Sequence, residues 1–139
     1  MATMQSRLAD LIAALGADFK LKTVPIVFSA QGALTTRTGK SFVQLLGSGT
    51  IVAVKGYLDT PATGATTFKV DVNKNGTTIY GTQGNRPTWT ASANAATVLS
   101  HSVTTFADGD RLSCDIDAIG STVAGSDLTM TVYILRTGN

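Results

Sequence analysis

The run Phe68-Lys69-Val70-Asp71-Val72-Asn73-Lys74-Asn75-Gly76-Thr77-Thr78-Ile79-Tyr80 decides the fold class. Phe68, Val70 and Val72 alternate with Lys69 and Asp71, the period of two that marks a half-buried strand. Asn75-Gly76 follows, between Val70-Val72 and Ile79-Tyr80, and this pair readily adopts the positive φ that a tight hairpin turn demands. Outward from this hairpin the same alternation returns twice. Leu112, Cys114 and Ile116 alternate with Ser113, Asp115 and Asp117; Leu128, Met130, Val132 and Ile134 alternate with Thr129, Thr131 and Tyr133. Further strands are predicted over Ile26 to Ala30, Phe42 to Leu46, Thr50 to Leu58, Thr77 to Thr82 and Thr97 to Phe106, separated by segments rich in Gly, Pro, Asn and Asp. About eight strands at this spacing predict an all-β chain, an antiparallel, jelly-roll-like β-sandwich, because antiparallel edges have to be closed or covered.

The N-terminal segment has a different period. Within residues 4–22, Leu8, Leu11, Ile12, Leu15 and Phe19 recur at the intervals of an amphipathic helix. Val24-Pro25 ends it, since the residue before proline is pushed out of the α region. The chain therefore divides into an N-terminal amphipathic helix over 1–23, for anchoring or oligomerisation, and a β-sandwich domain over 24–139. A helix of about five turns is marginal alone in water. Its stripe is open to packing on the β domain, to self-association through the one-heptad spacing of Leu8 and Leu15, or to docking on another protein. Phe42-Val43-Gln44-Leu45-Leu46, Ile51-Val52-Ala53-Val54 and Val132-Tyr133-Ile134-Leu135 are apolar on both faces, which suggests either a covering subunit or strand ends at the sandwich corners.

Composition narrows the function classes. At 139 residues the chain has the size of one domain. Charged residues make up 14% against about 25% in typical soluble domains, so hydroxyls and amides cover the surface. A net charge of +2 is a small imbalance and does not imply nucleic-acid binding. No apolar run approaches the ~18 residues needed to span a bilayer. One cysteine and one histidine exclude an intrachain disulfide, a Cys/His zinc site and most His-based nucleophilic relays, so neither a metal nor another cofactor is expected and the chain reads as non-enzymatic.

Individual motifs give little chemistry. Asp71-Val72-Asn73-Lys74-Asn75-Gly76 matches the opening of a calcium loop, but its twelfth position is Thr82 and its flanks are strands, so a hairpin is the better reading. Asp108, Asp110, Asp115, Asp117 and Asp127 read as turn or outward-facing strand carboxylates, without the cleft-facing pair that glycoside hydrolysis needs. Cys114 reads as a small buried hydrophobe. His101 lacks an orienting carboxylate and reads as a surface or interface histidine. Gln83-Gly84-Asn85-Arg86-Pro87-Thr88-Trp89 places Trp89 beside Arg86 in an expected loop. With Tyr57 these residues make a candidate glycan or partner contact, and a loop anchor is the other reading of Trp89.

The hairpin run, Asn85-Arg86-Pro87-Thr88, Thr105-Phe106-Ala107-Asp108-Gly109-Asp110-Arg111-Leu112 and the stretch from Asp115 to Thr129 together resemble a β-rich module of tailed-bacteriophage virion proteins: tail fibres, minor tail proteins, head fibres and capsid decorations. The resemblance spans about residues 45–136 and is diffuse; its most specific part is DIDAIGSTVAGSDLTMTV. LADLIAALGADFK resembles the short helical leaders that attach or trimerise phage fibres, although no shaft or collagen-like repeat follows it. What the resemblance implies is a structural protein on the virion surface, made in the host cytoplasm. Its partners would be itself, as a homotrimer, and other virion proteins, with no nucleic acid and no membrane insertion. A host-glycan-binding adhesin is the alternative.

Overall fold

The computed structural model describes residues 3–21, 23–39 and 41–138, with the side chains of 15–21 and 138 outside the description. One helix, α1 (Met4–Leu21), precedes nine strands: β1 (Val24–Ala33), β2 (Phe42–Gln44), β3 (Ser48–Thr60), β4 (Phe68–Lys74), β5 (Thr77–Thr78), β6 (Thr88–Trp89), β7 (Thr105–Phe106), β8 (Arg111–Ala118) and β9 (Ser126–Gly138). A single 3₁₀ turn covers Gln83–Asn85. Thr3 caps α1: its Oγ1 accepts the Ser6 N–H at 3.2 Å, which satisfies one of the donors that the first turn leaves free.

Two antiparallel sheets face each other. One has the order β1-β9-β3-β7 and the other β2-β8-β4-β5, with β6 paired to β4. The first four strands alternate between the sheets, and β7, β8 and β9 alternate again, which is the wrapping of a jelly roll. β9 is central in its sheet, with Met130 opposite Phe28 of β1 and Gly56 of β3. Its inward residues Leu128, Met130, Val132 and Ile134 are all buried, and Phe68, Val70, Val72, Leu112 and Ile116 close the core from the other sheet. Completely burying one such side chain contributes about 1.5–3 kcal/mol, so these two rows supply much of the driving force.

The hairpin that decides the fold class is present in the expected form. β4 and β5 are joined by Asn75 at φ 53° and Gly76 at φ 81°, the left-handed pair of a two-residue turn. The outer face of β4 departs from the expectation. Asp71 and Asn73 are buried although they alternate with the core residues. Each is hydrogen-bonded: Thr78 Oγ1 donates to Asp71 Oδ1 at 2.6 Å, and Asn73 Nδ2 donates to Asp115 Oδ2 at 2.9 Å. Three further expectations are revised. The expected strand over Thr97 to Phe106 is regular only at β7, and the expected loop around Arg86 contains β6. Of Thr77 to Thr82 only Thr77–Thr78 forms a strand.

Candidate functional site

The helix stripe is the feature that the β domain does not absorb. Every described side chain of α1 is exposed, and Leu8, Leu11 and Ile12 are 56%, 56% and 61% exposed. The side chains of Leu15 and Phe19, the other two residues of the expected interface, lie outside the described ones. Among the described side chains, packing of the stripe onto the chain's own sheets does not occur. The segments that read as apolar on both faces are also uncovered in part: Phe42, Leu46 and Val52 are exposed, while Tyr133 and Leu135 are half-buried. Val52 owes its position to a bulge in β3, where the register against β9 shifts between Ile51 and Ala53.

The candidate glycan contact is not assembled. Trp89 is 1% exposed, with its ring edge-on to Phe68 at 5.1 Å between centroids and its indole N–H donated to the Asn94 carbonyl at 2.8 Å. Tyr57, next to Gly56 on β3, is half exposed and on the other face of the sheet from Trp89's contact with Gly56. Arg86 is half-buried and paired with Asp117. The three residues therefore do three separate things: Trp89 fills the core, Arg86 ties the 3₁₀ turn to β8, and Tyr57 is exposed.

The carboxylates have structural work. Gly32, Gly39 and Gly47 each donate a backbone N–H to an aspartate far along the chain: to Asp127 at 2.8 Å, Asp115 at 2.5 Å and Asp108 at 2.7 Å. Charge-assisted bonds of this kind pin loops that have no ladder partner. Asp110 accepts the Ala107 N–H at 2.9 Å and the Asn75 side-chain amide at 2.7 Å, and sits 3.6 Å from Lys74. The Ala107 bond, followed by the Asn75 amide, holds its carboxyl below the usual range. Asp127 is held low by the Gly32 N–H and then by Ser126. Burial pushes Asp117 up, opposed by Arg86. No group of three or more His, Cys, Asp or Glu side chains converges as a metal site among the described residues. No described helix is long and apolar enough to cross a membrane.

His101 is half-buried; its Nε2–H donates to the Ile51 carbonyl at 2.9 Å, beside the β3 bulge, and its ring stands edge-on to Tyr80. Cys114 faces inward opposite Val72, and burial raises its thiol pKa, which keeps it neutral and unreactive. One feature left no trace in the periodicity. Between β1, the open edge of one sheet, and residues 37–43, along the open edge of the other, lies a cleft of about 510 Å³. Its lining comes from four separate segments, 27–30, 37–43, 114–116 and 128–130, so no local spacing could have announced it.

No protein-family model, curated protein or solved structure matches the chain.

Proposed function

We propose that this chain is a non-enzymatic structural protein displayed on the surface of a tailed-bacteriophage particle, as a capsid decoration or head fibre or as a small tail-fibre or minor tail component. Residues 1–23 serve as its attachment or trimerisation device, and the jelly-roll domain is the displayed body. The observation that carries this reading is the exposed stripe of α1, with Leu8, Leu11 and Ile12 unpartnered on a helix that adjoins β1 directly. Burying three large side chains between helices would contribute about 1.5–3 kcal/mol each, enough to offset the marginal stability of a lone helix. The low charge and hydroxyl-rich surface, together with the resemblance of residues 45–136 to virion modules, support display as the role.

The test is incorporation. A tagged full-length chain expressed in a phage-producing host should band with particles in a density gradient, and the Leu8→Glu/Leu11→Glu/Ile12→Glu variant should not. A wild-type chain that stays entirely in the soluble fraction defeats the reading.

A further inference from the structure

We propose that the cleft between the open edges of the sandwich is a binding site for a singly charged aliphatic carboxylate, with Arg37 holding the head group. The inference is independent of the virion reading.

The argument begins with register. Arg37 forms an isolated antiparallel bridge with Ile116: its N–H donates to the Ile116 carbonyl at 2.9 Å, and the Ile116 N–H donates back at 2.8 Å. Residues directly opposite in such a pair project to the same face. Ile116 is buried in the core, so Arg37 starts from the core side of its sheet, at the open edge of the sandwich, where its side chain is exposed to solvent. An arginine on that side is unusual, because inward positions of a sandwich are apolar.

Its charge is not answered locally. Among the described residues Lys74 is paired with Asp110 and Arg86 with Asp117. No described carboxylate lies within ion-pair distance of Arg37. Asp115 and Asp117, which flank Ile116 on β8, project to the opposite face: Asp115 accepts from Gly39 and Asn73, and Asp117 is paired with Arg86.

Below Arg37 the floor of the cleft is Phe28, Ile116, Leu128 and Met130, with Cys114 as a neutral thiol among them. Phe42 stands at the mouth, its ring covered by the Arg111 guanidinium at 4.9 Å. A volume of about 510 Å³ is within the usual range of small-molecule sites. An apolar floor with Arg37 at its rim matches an aliphatic tail that ends in a carboxylate, which a guanidinium binds in bidentate fashion.

The probe is decanoate below its micellar concentration, with decanol and decyltrimethylammonium as tail-matched controls. The chain has three methionines, and Met130 is the one in the cleft, so methyl-labelled methionine gives a local signal with Met4 of α1 as an internal reference. Decanoate should shift the Met130 methyl saturably and leave Met4 unmoved. It should bind about tenfold more tightly than decanol, the increment expected of a hydrogen bond to a charged group. Arg37→Gln should bring decanoate down to the decanol value and leave decanol unchanged. An unmoved Met130 methyl overturns the proposal. So does equal binding of decanoate, decanol and decyltrimethylammonium by the wild-type chain, a result that needs no variant to fold.

Discussion

The Cα of Gly56 lies against the indole of Trp89 so closely that a Cβ there would stand 2.6 Å from both Cζ2 and Cη2 of the ring and 2.7 Å from Sδ of Met130. A central strand thus leaves out a side chain where the largest core residue crosses it. Gly56→Ala is expected to lower stability by about 2 kcal/mol, the usual effect of overpacking a close-fitted core. The loss should show in the urea midpoint together with an altered Trp89 near-UV signal. An unchanged midpoint would mean that the ring moves freely.

Trp89→Ala should cost about 3–5 kcal/mol, because it empties a large core volume and removes one of the two donors to the Asn94 carbonyl, the Leu58 N–H remaining. The expected readout is a large drop in melting temperature. A variant with unchanged melting that lost binding to a host glycan would instead return Trp89 to the surface role its sequence context suggested.

Tyr80 is fully buried, and its hydroxyl has no hydrogen-bond partner among the described residues. Burial also pushes its pKa well above the ordinary value, with Asp71 adding to the effect. An unpaired buried hydroxyl costs about 1–3 kcal/mol, so Tyr80→Phe should be neutral or stabilising, by up to about 1 kcal/mol. Differential scanning calorimetry decides the sign, and a destabilisation of several degrees would show that the hydroxyl has a partner after all.

Acid should destabilise the fold through its turn carboxylates. Asp110 and Asp127 have folded pKa values below the ordinary 3.8, so the unfolded chain takes up protons first as pH falls. Their contribution is complete above about pH 4 and is lost as pH drops through the folded values. Asp117, raised by burial, binds its proton more tightly when folded and works in the opposite direction. The urea midpoint should therefore fall between pH 4 and pH 2, and Asp110→Asn should flatten that slope. A slope unaffected by the substitution would remove Asp110 from the account.

On the proposed reading the stripe of α1 sets the assembly state. Full-length chain measured by light scattering should be an oligomer, three-fold on the virion reading, and Leu8→Glu/Leu11→Glu/Ile12→Glu should be a monomer with the same melting temperature. Equal stability is expected because these side chains are more than half exposed and lie outside the hydrophobic core. Monomers in both cases would make the helix a docking peptide for another protein.

Much of the fold could be read from local pattern. The alternation of Phe68, Val70 and Val72, of Leu112 and Ile116, and of Leu128 to Ile134 locates three strands that supply nearly half of the buried core, and Asn75-Gly76 locates the β4–β5 hairpin. The site residues were less legible. Trp89 was placed in a loop because Gly84, Asn85 and Pro87 precede it, yet two residues of pairing with β4 are enough to carry it inward. Thr97 to Phe106 reads as a long strand, yet only Thr105 and Phe106 form a ladder with β3; several other backbone groups of this segment bond to Asn85, Thr88 and Ile79 instead.

The sequence by itself determined the division into a helical leader and a β body, the antiparallel class and the tight turn, because each depends on the period or φ preference of neighbouring residues. Tertiary structure alone decided which aspartates meet which glycines, where Trp89 lies and that Arg37 borders the cleft. Those outcomes depend on which strands become neighbours across the sandwich, and that is settled by burying both apolar rows at once rather than by any local spacing.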